Sequence, residues 1–419
     1  MNEFAWKKVI IIVIVLAALG GGIFLAFRAI KNREEASEKT IPKIDEQTAE
    51  DIAEEWLEQM DLKAKIGQMI IMTNEEKDVT ETFLEELLEV KPGGYILMTP
   101  NITSYERTKQ MLMEVDRVSR EDYGVKDLPM ILSVDEEGGN VQRLLYVEDR
   151  DATNIPYMYD VGKTGDEELA YKIGKVIGEE TRSIGLNLTF APDIDVFSNS
   201  ENEVIGKRSF GEDKETVARM AIKVASGIED VGVRTAYKHF PGHGDTAVDS
   251  HIALPIIDKS WEELEKVDLY PFKRAIETGA QMIMVGHIAV DGSEVPASLS
   301  NDAVTGILKK KMGFSGLVIT DALNMGAVAE NYTGAEIAVM AVEAGEDLLL
   351  MPASAREARD AVLSAVENGD ILEARINESV KKILMYKAQY LKNFTSGSES
   401  DFGSEAHKKI VQQVTGNEQ

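Results

Sequence analysis

Three of the five histidines of the chain fall within the fourteen residues KHFPGHGDTAVDSH, Lys238 to His251. Imidazole, with an ordinary pKa of about 6.5, can both give and take a proton near neutrality. The Pro-Gly-His-Gly centre cannot be helical, so the segment reads as a loop. Its glycines permit the positive φ needed to fold Asp249 and His251 back over a site. Three readings fit these residues. His239, His243, Asp245, Asp249 and His251 are competent metal ligands. The same groups serve as acid/base and hydrogen-bonding residues. A purely structural loop is the third, and spacing leaves all three open, because no helix sets two of these histidines on one face.

Three further groups carry reactive side chains. In VITDALNMGA (318–327), Asp321 directly follows an apolar run, a place that suits either a helix cap or a catalytic carboxylate. In VDEEGGNVQR (134–143), Asp135 and Arg143 flank what could be a polar turn with Arg143 pairing one of the acids. In IGKRSFG (205–211), Arg208 could be a surface cation.

The elements that must position these groups recur along the chain. Eight apolar runs of strand length stand at 68–72, 93–98, 129–134, 187–192, 233–240, 281–288, 316–321 and 347–352. Most are separated by amphipathic stretches of helix length, such as 166–185, 213–230 and 334–345. Near-continuous apolar strands alternating with helices predict a (β/α)8 TIM-type barrel over residues 52–394, with insertions. An open doubly wound sheet is the rival. The barrel is favoured because Asp135, Asp193, Asp195, Lys238, His239, His287 and Asp321 all sit at or just past the C-terminal ends of runs. No run is followed by a dinucleotide fingerprint.

The 19 uncharged residues from Val9 to Phe27 predict an N-terminal transmembrane helix within residues 1–28, since about 28 Å of helix nearly matches a bilayer core. A removed signal is the alternative. Lys7 and Lys8 before the run and Arg28, Lys31 and Arg33 after it leave orientation undecided by charge. Residues 29–51 read as a linker and 395–419 as a flexible tail ending in a helical stub, EAHKKIVQQV. A net charge of −28 disfavours nucleic acid as a partner, and the absence of cysteine excludes disulfides and thiolate metal sites.

In this order, DEEGGNVQRL, NLTFAPDIDV, IGKRSFG, KHFPGHGDTAVDSH and VITDALNMGA resemble glycoside hydrolase family 3, and within it the β-N-acetylglucosaminidases. The resemblance spans about residues 53–393. It implies a retaining, exo-acting enzyme that removes terminal β-linked GlcNAc from peptidoglycan-derived or related glycans, without metal or other cofactor. Asp321 matches the family's nucleophile, His251 its acid/base and Asp249 the partner of that histidine. Asp135, Arg143, Arg208, Lys238 and His239 match residues that bind the sugar hydroxyls. Ala322 stands where many members carry a second Asp. EAHKKIVQQV resembles the helix that opens a second α/β domain, so the tail is vestigial or the start of a missing domain. The implied setting is the bacterial cell membrane with the catalytic part outside, or secretion if the N-terminal segment is cleaved. A β-glucosidase of the same family, a phosphorylase using phosphate as acceptor, and a non-catalytic glycan-binding module are the alternatives.

Overall fold

A computed structural model of the chain describes residues 43–246 and 254–416. Asp249, His251 and the apolar run 9–27 lie outside them. All eight apolar runs contain strand, and the fifth contains two. We number the strands β1 (Ile70–Met72), β2 (Gly94–Leu97), β3 (Ile131–Val134), β4 (Leu188–Thr189), β5 (Arg234–Thr235), β6 (Tyr237–Phe240), β7 (Met282–Val285), β8 (Leu317–Thr320) and β9 (Leu349–Leu350).

These strands do not close into the eight-stranded barrel that the pattern predicts. They form a six-stranded parallel half-barrel sheet in the order β9-β1-β2-β3-β4-β5, and a separate three-stranded parallel sheet in the order β8-β7-β6. Among the described residues, single bridges join the two sheets, Asp193 with Lys238 and Ile319 with Leu348. The reason lies in which oxygens take the ladder amides. Pro192 follows β4 and has no N–H to donate. Between β8 and β9, side chains replace carbonyls: Asp347 Oδ2 accepts the Val318 amide at 3.0 Å and Thr320 Oγ1 accepts the Leu350 amide at 3.0 Å. Periodicity reports an apolar strand but not such substitutions.

The apolar core falls into two clusters, and β7 shows why. Met282 and Met284 join one cluster while Ile283 and Val285 join the other, as successive side chains point to opposite faces. The helices carry one buried face each. On Glu167–Ile184, Leu169, Ile173, Val176, Ile177 and Ile184 are buried, and Asp166 caps the start by accepting the Glu168 and Leu169 amides. Among the described residues no helix is long and apolar enough to cross a membrane. The membrane-spanning helix is therefore no element of the described fold, whose helices spend their polar faces on solvent and ion pairs.

Both ends of the described chain are anchored. Helix Glu46–Glu58 starts inside the stretch read as linker, and Lys381 ties it down through Glu50 at 2.8 Å and Glu54 at 2.9 Å. In the tail, helix Glu405–Thr415 rests on helix Glu167–Ile184, where buried His407 lies between Glu179 Oε2 (2.8 Å) and Glu180 Oε1 (2.9 Å). Burial works against the imidazolium, but the two carboxylates outweigh it and raise the pKa of His407 to about 9. A histidine with a raised folded pKa stabilises fully below its unfolded value of about 6.5. That contribution is lost as pH rises through about 9. The unfolding free-energy difference between wild type and His407→Gln should accordingly be largest at pH 6 and shrink toward pH 10. A difference constant across that range, in urea titrations, would rule out the charge as the anchor.

Candidate active site

The ends of β3, β6, β7 and β8 converge on a cavity of about 300 Å³. Asp135, Glu137, Arg143, Arg208, Lys238, His239 and Asp321 are among its lining residues. Asp321 leaves β8 with its amide donating to Val285 O of the neighbouring β7 at 2.9 Å. Its Oδ1 accepts the next amide, Ala322, at 2.8 Å. It does not cap the following helix, Gly326–Ala329, whose N-cap is Met325. Burial pushes the Asp321 carboxyl up, yet His239, His287, the Ala322 amide and Lys238 outweigh that and hold it below the ordinary aspartate value. Asp321 is thus an anion at neutral pH, facing the cavity.

The cations opposite it are held by a carboxylate that the sequence reading did not single out. Glu137, 2% exposed, accepts Arg208 Nε and Nη2 at 2.8 Å each and Lys238 Nζ at 2.6 Å. Lys238 Nζ also donates to Asp135 Oδ1 at 2.9 Å. Burial alone would raise the Glu137 pKa, but Arg208 and Lys238 drive it far below the usual carboxylate range. A signal for Glu137 existed: in an extended VDEEG segment it lies two residues from Asp135, hence on the same side. Glu136 points the other way, where its Oε2 accepts the Leu144 amide at 3.0 Å and burial lifts its pKa to about 8. Arg143 is less tightly paired, its Nη2 standing 3.9 Å from Asp135 Oδ2.

His239 is oriented from behind. Asp195 Oδ2 lies 2.7 Å from His239 Nδ1, and Asp195 Oδ1 accepts the His243 amide at 2.7 Å. Nδ1–H donates to the Asp195 carboxylate, so the neutral ring turns an unprotonated Nε2 toward Arg208 Nη2, 3.4 Å away. Burial, assisted by Arg208, lowers the His239 pKa to about 4, and burial with His239 does the same to His243. Burial and the charge of Asp195 raise Asp193 to about 8. His287 braces the other side, with Nε2 donating to Ala322 O at 2.9 Å and Nδ1 2.7 Å from Ser298 Oγ. The sequence placed Asp193, Asp195 and His287 at strand ends but could not say which partner each one orients.

Among the described residues one group, Asp193, Asp195 and His239, brings ligand atoms within 4.8 Å of one another. Asp195 is engaged by His239 Nδ1 and the His243 amide, while Asp193 Oδ2 is buried without a hydrogen-bond partner, Arg208 Nε bringing positive charge to 3.5 Å from it. Of the three, His239 lines the cavity, while Asp193 and Asp195 are fully buried behind it.

The loop that leaves β6 is pinned at its start and again beyond residue 253. Gly242 adopts φ 123°, and a Cβ on Gly244 would stand 1.7 Å from Val196 O, so the Pro-Gly-His-Gly segment lies directly on the backbone after β4. Lys259 joins Asp245 at 2.9 Å and Asp268 at 3.0 Å. Asp249 and His251 fall between these flanks and outside the described residues. Of the residues singled out from the sequence, the structure brings Asp135, Arg143, Arg208, Lys238, His239 and Asp321 to one cavity.

Comparison with known proteins agrees with this geometry. Residues 61–386 match the model of the glycosyl hydrolase family 3 N terminal domain. Beta-hexosaminidase A of Pseudoalteromonas piscicida is 30% identical over 347 residues, which is 76% of this chain and 57% of that protein. The chain thus spans little more than half the length of this relative. A beta-hexosaminidase of Nitrosospira multiformis is 30% identical over 67% of this chain and 79% of its own. The solved family 3 beta-N-acetylglucosaminidase from Paenibacillus sp. str. FPU-7 is 34% identical with a TM-score of 0.79, covering 85% of this chain and 68% of that one.

Proposed function

The chain belongs to glycosyl hydrolase family 3, and from that premise we propose that it is a retaining β-N-acetylhexosaminidase removing terminal β-linked GlcNAc. The observation that carries the reading is the ionised Asp321 carboxylate, set across a small cavity from Arg208, Lys238 and the neutral His239. A retaining mechanism needs a carboxylate that attacks the anomeric carbon and a second group that first donates and then accepts a proton. Asp321 is the nucleophile. Its attack breaks the glycosidic C–O bond and forms a glycosyl ester, while His251 protonates the departing oxygen. The same imidazole then takes a proton from water, which opens the ester and returns the sugar with its β configuration. Asp249 keeps that ring in one tautomer and stabilises its cation.

Asp135, Arg143, Arg208, Lys238 and His239 bind the sugar hydroxyls and set the anomeric carbon against Asp321. A cavity of about 300 Å³ suits one sugar unit rather than a chain, which supports removal from the end of a glycan. Amino sugars of the cell wall are the substrate class that follows, with the enzyme working outside the cytoplasm. Fractionation that recovers the activity only from cytosol would refute that placement.

The direct test is an aryl β-N-acetylglucosaminide set beside the matching aryl β-glucoside. Preference for the glucoside would overturn the substrate assignment, and a rate that requires phosphate would replace hydrolysis by phosphorolysis. His251→Ala should slow substrates with poor leaving groups by about 10²–10⁴-fold, and activated aryl glycosides much less, because only the former need a proton. Equal slowing of both would remove His251 from the acid role.

A further inference from the structure

The stretch that carries Arg143 is tied to the C-terminal segment through one buried carboxylate. Glu180, on helix Glu167–Ile184, accepts the Thr153 amide at 3.0 Å, the Gly403 amide at 3.1 Å and His407 Nδ1 at 2.9 Å. With Glu179 at its other nitrogen, the His407 ring donates from both sides. Thr153 passes the constraint inward. Its carbonyl accepts Gln142 Nε2 at 2.7 Å, and Gln142 Oε1 accepts the Ile155 amide at 3.0 Å. Gln142 immediately precedes Arg143, which lines the cavity.

A second set of contacts runs alongside. The Phe402 ring meets Tyr105 edge-on at 5.0 Å, and the Arg150 guanidinium covers Tyr105 at 4.3 Å while pairing with Glu399. A Cβ on Gly403 would stand 1.9 Å from Asp151 O, so the tail backbone lies directly on this loop.

We propose that the segment Glu399–His407 is a positioning element of the active site: His407, through Glu180 and Thr153, fixes the turn at Gln142 and so the direction in which Arg143 meets the sugar. Glu180 has two oxygens, and it spends them on the tail and on the loop that leads back to the cavity. Removing the His407 donor leaves the Gly403 amide as the tail's remaining hold on the carboxylate, which loosens its grip on Thr153, and the slack reaches Arg143 within two hydrogen bonds. Other tail contacts avoid this route. Lys408 Nζ donates to Glu405 Oε1 at 3.0 Å, within the tail helix itself.

The proposal rests on the reading of the cavity as a sugar site, and its test separates the two. In the 419-residue chain, His407→Ala, the milder His407→Gln and the control Lys408→Ala are compared by hydrogen exchange of the 142–155 amides and by kinetics on an aryl β-N-acetylglucosaminide. His407→Ala should speed exchange in 142–155 by about ten-fold and raise KM by about ten-fold, with kcat within about two-fold, as expected when ground-state and transition-state binding are lost together. His407→Gln should move both in the same direction by less, and Lys408→Ala should move neither. Unchanged exchange in the His407 variants overturns the proposal. So does faster exchange with an unaltered KM, or a Lys408→Ala variant as impaired as His407→Ala. Should His407→Ala fail to fold, His407→Gln decides by the same criteria. If the wild type turns over no aryl glycoside, the sugar reading fails while the exchange comparison still decides the tie.

Discussion

Asp321→Asn is expected to lower kcat by about 10⁴-fold or more while GlcNAc still binds, because the change removes the attacking charge and little else. The shape is nearly conserved, and the amide oxygen can still accept the Ala322 N–H that Asp321 Oδ1 now accepts at 2.8 Å. His239, Arg208 and Lys238 keep their own partners, Asp195, Glu137 and Asp135. Binding and turnover should therefore separate, with binding measured by calorimetry and turnover by release of the aryl group. A fluorinated substrate that traps the glycosyl ester should label the peptide containing Asp321 in the wild type and nothing in the variant. Label on another carboxylate, or near-normal turnover by Asp321→Asn, would end the nucleophile assignment.

Glu137 should produce the second large effect, through charge balance. Its carboxylate is buried and takes two donors from Arg208 and one from Lys238. Glu137→Ala would leave the Arg208 guanidinium with Asp193 at 3.5 Å as its nearest acid, and Lys238 with Asp135 alone. Breaking a buried ion pair by removing one partner costs about 3–5 kcal/mol. Urea unfolding should show a loss of that order, and Glu137→Gln a smaller one, since the amide oxygen still accepts one donor. Both variants should raise KM for aryl β-N-acetylglucosaminides because the freed cations no longer point at the sugar. A Glu137→Ala protein with wild-type stability and KM would show that Asp135 and Asp193 suffice to hold the two cations.

What could be read from the chain alone was local. Apolar runs such as MIMV at 282–285 announce strands because burial on both faces demands apolar side chains at every position. Asp321 and Lys238 stood out as candidates because they are polar groups at or near the C-terminal ends of such runs. The tertiary structure decided what depends on distances between segments far apart in sequence. Asp347 and Thr320 take amides that a closed barrel would pair with backbone carbonyls, so the sheet stops at six strands. Glu137, 71 residues from Arg208, becomes its counterion, and the tail gains a partner in Glu179 and Glu180. Residue type and period encode which face is buried; which oxygen meets which nitrogen is settled only when the strand ends are brought together.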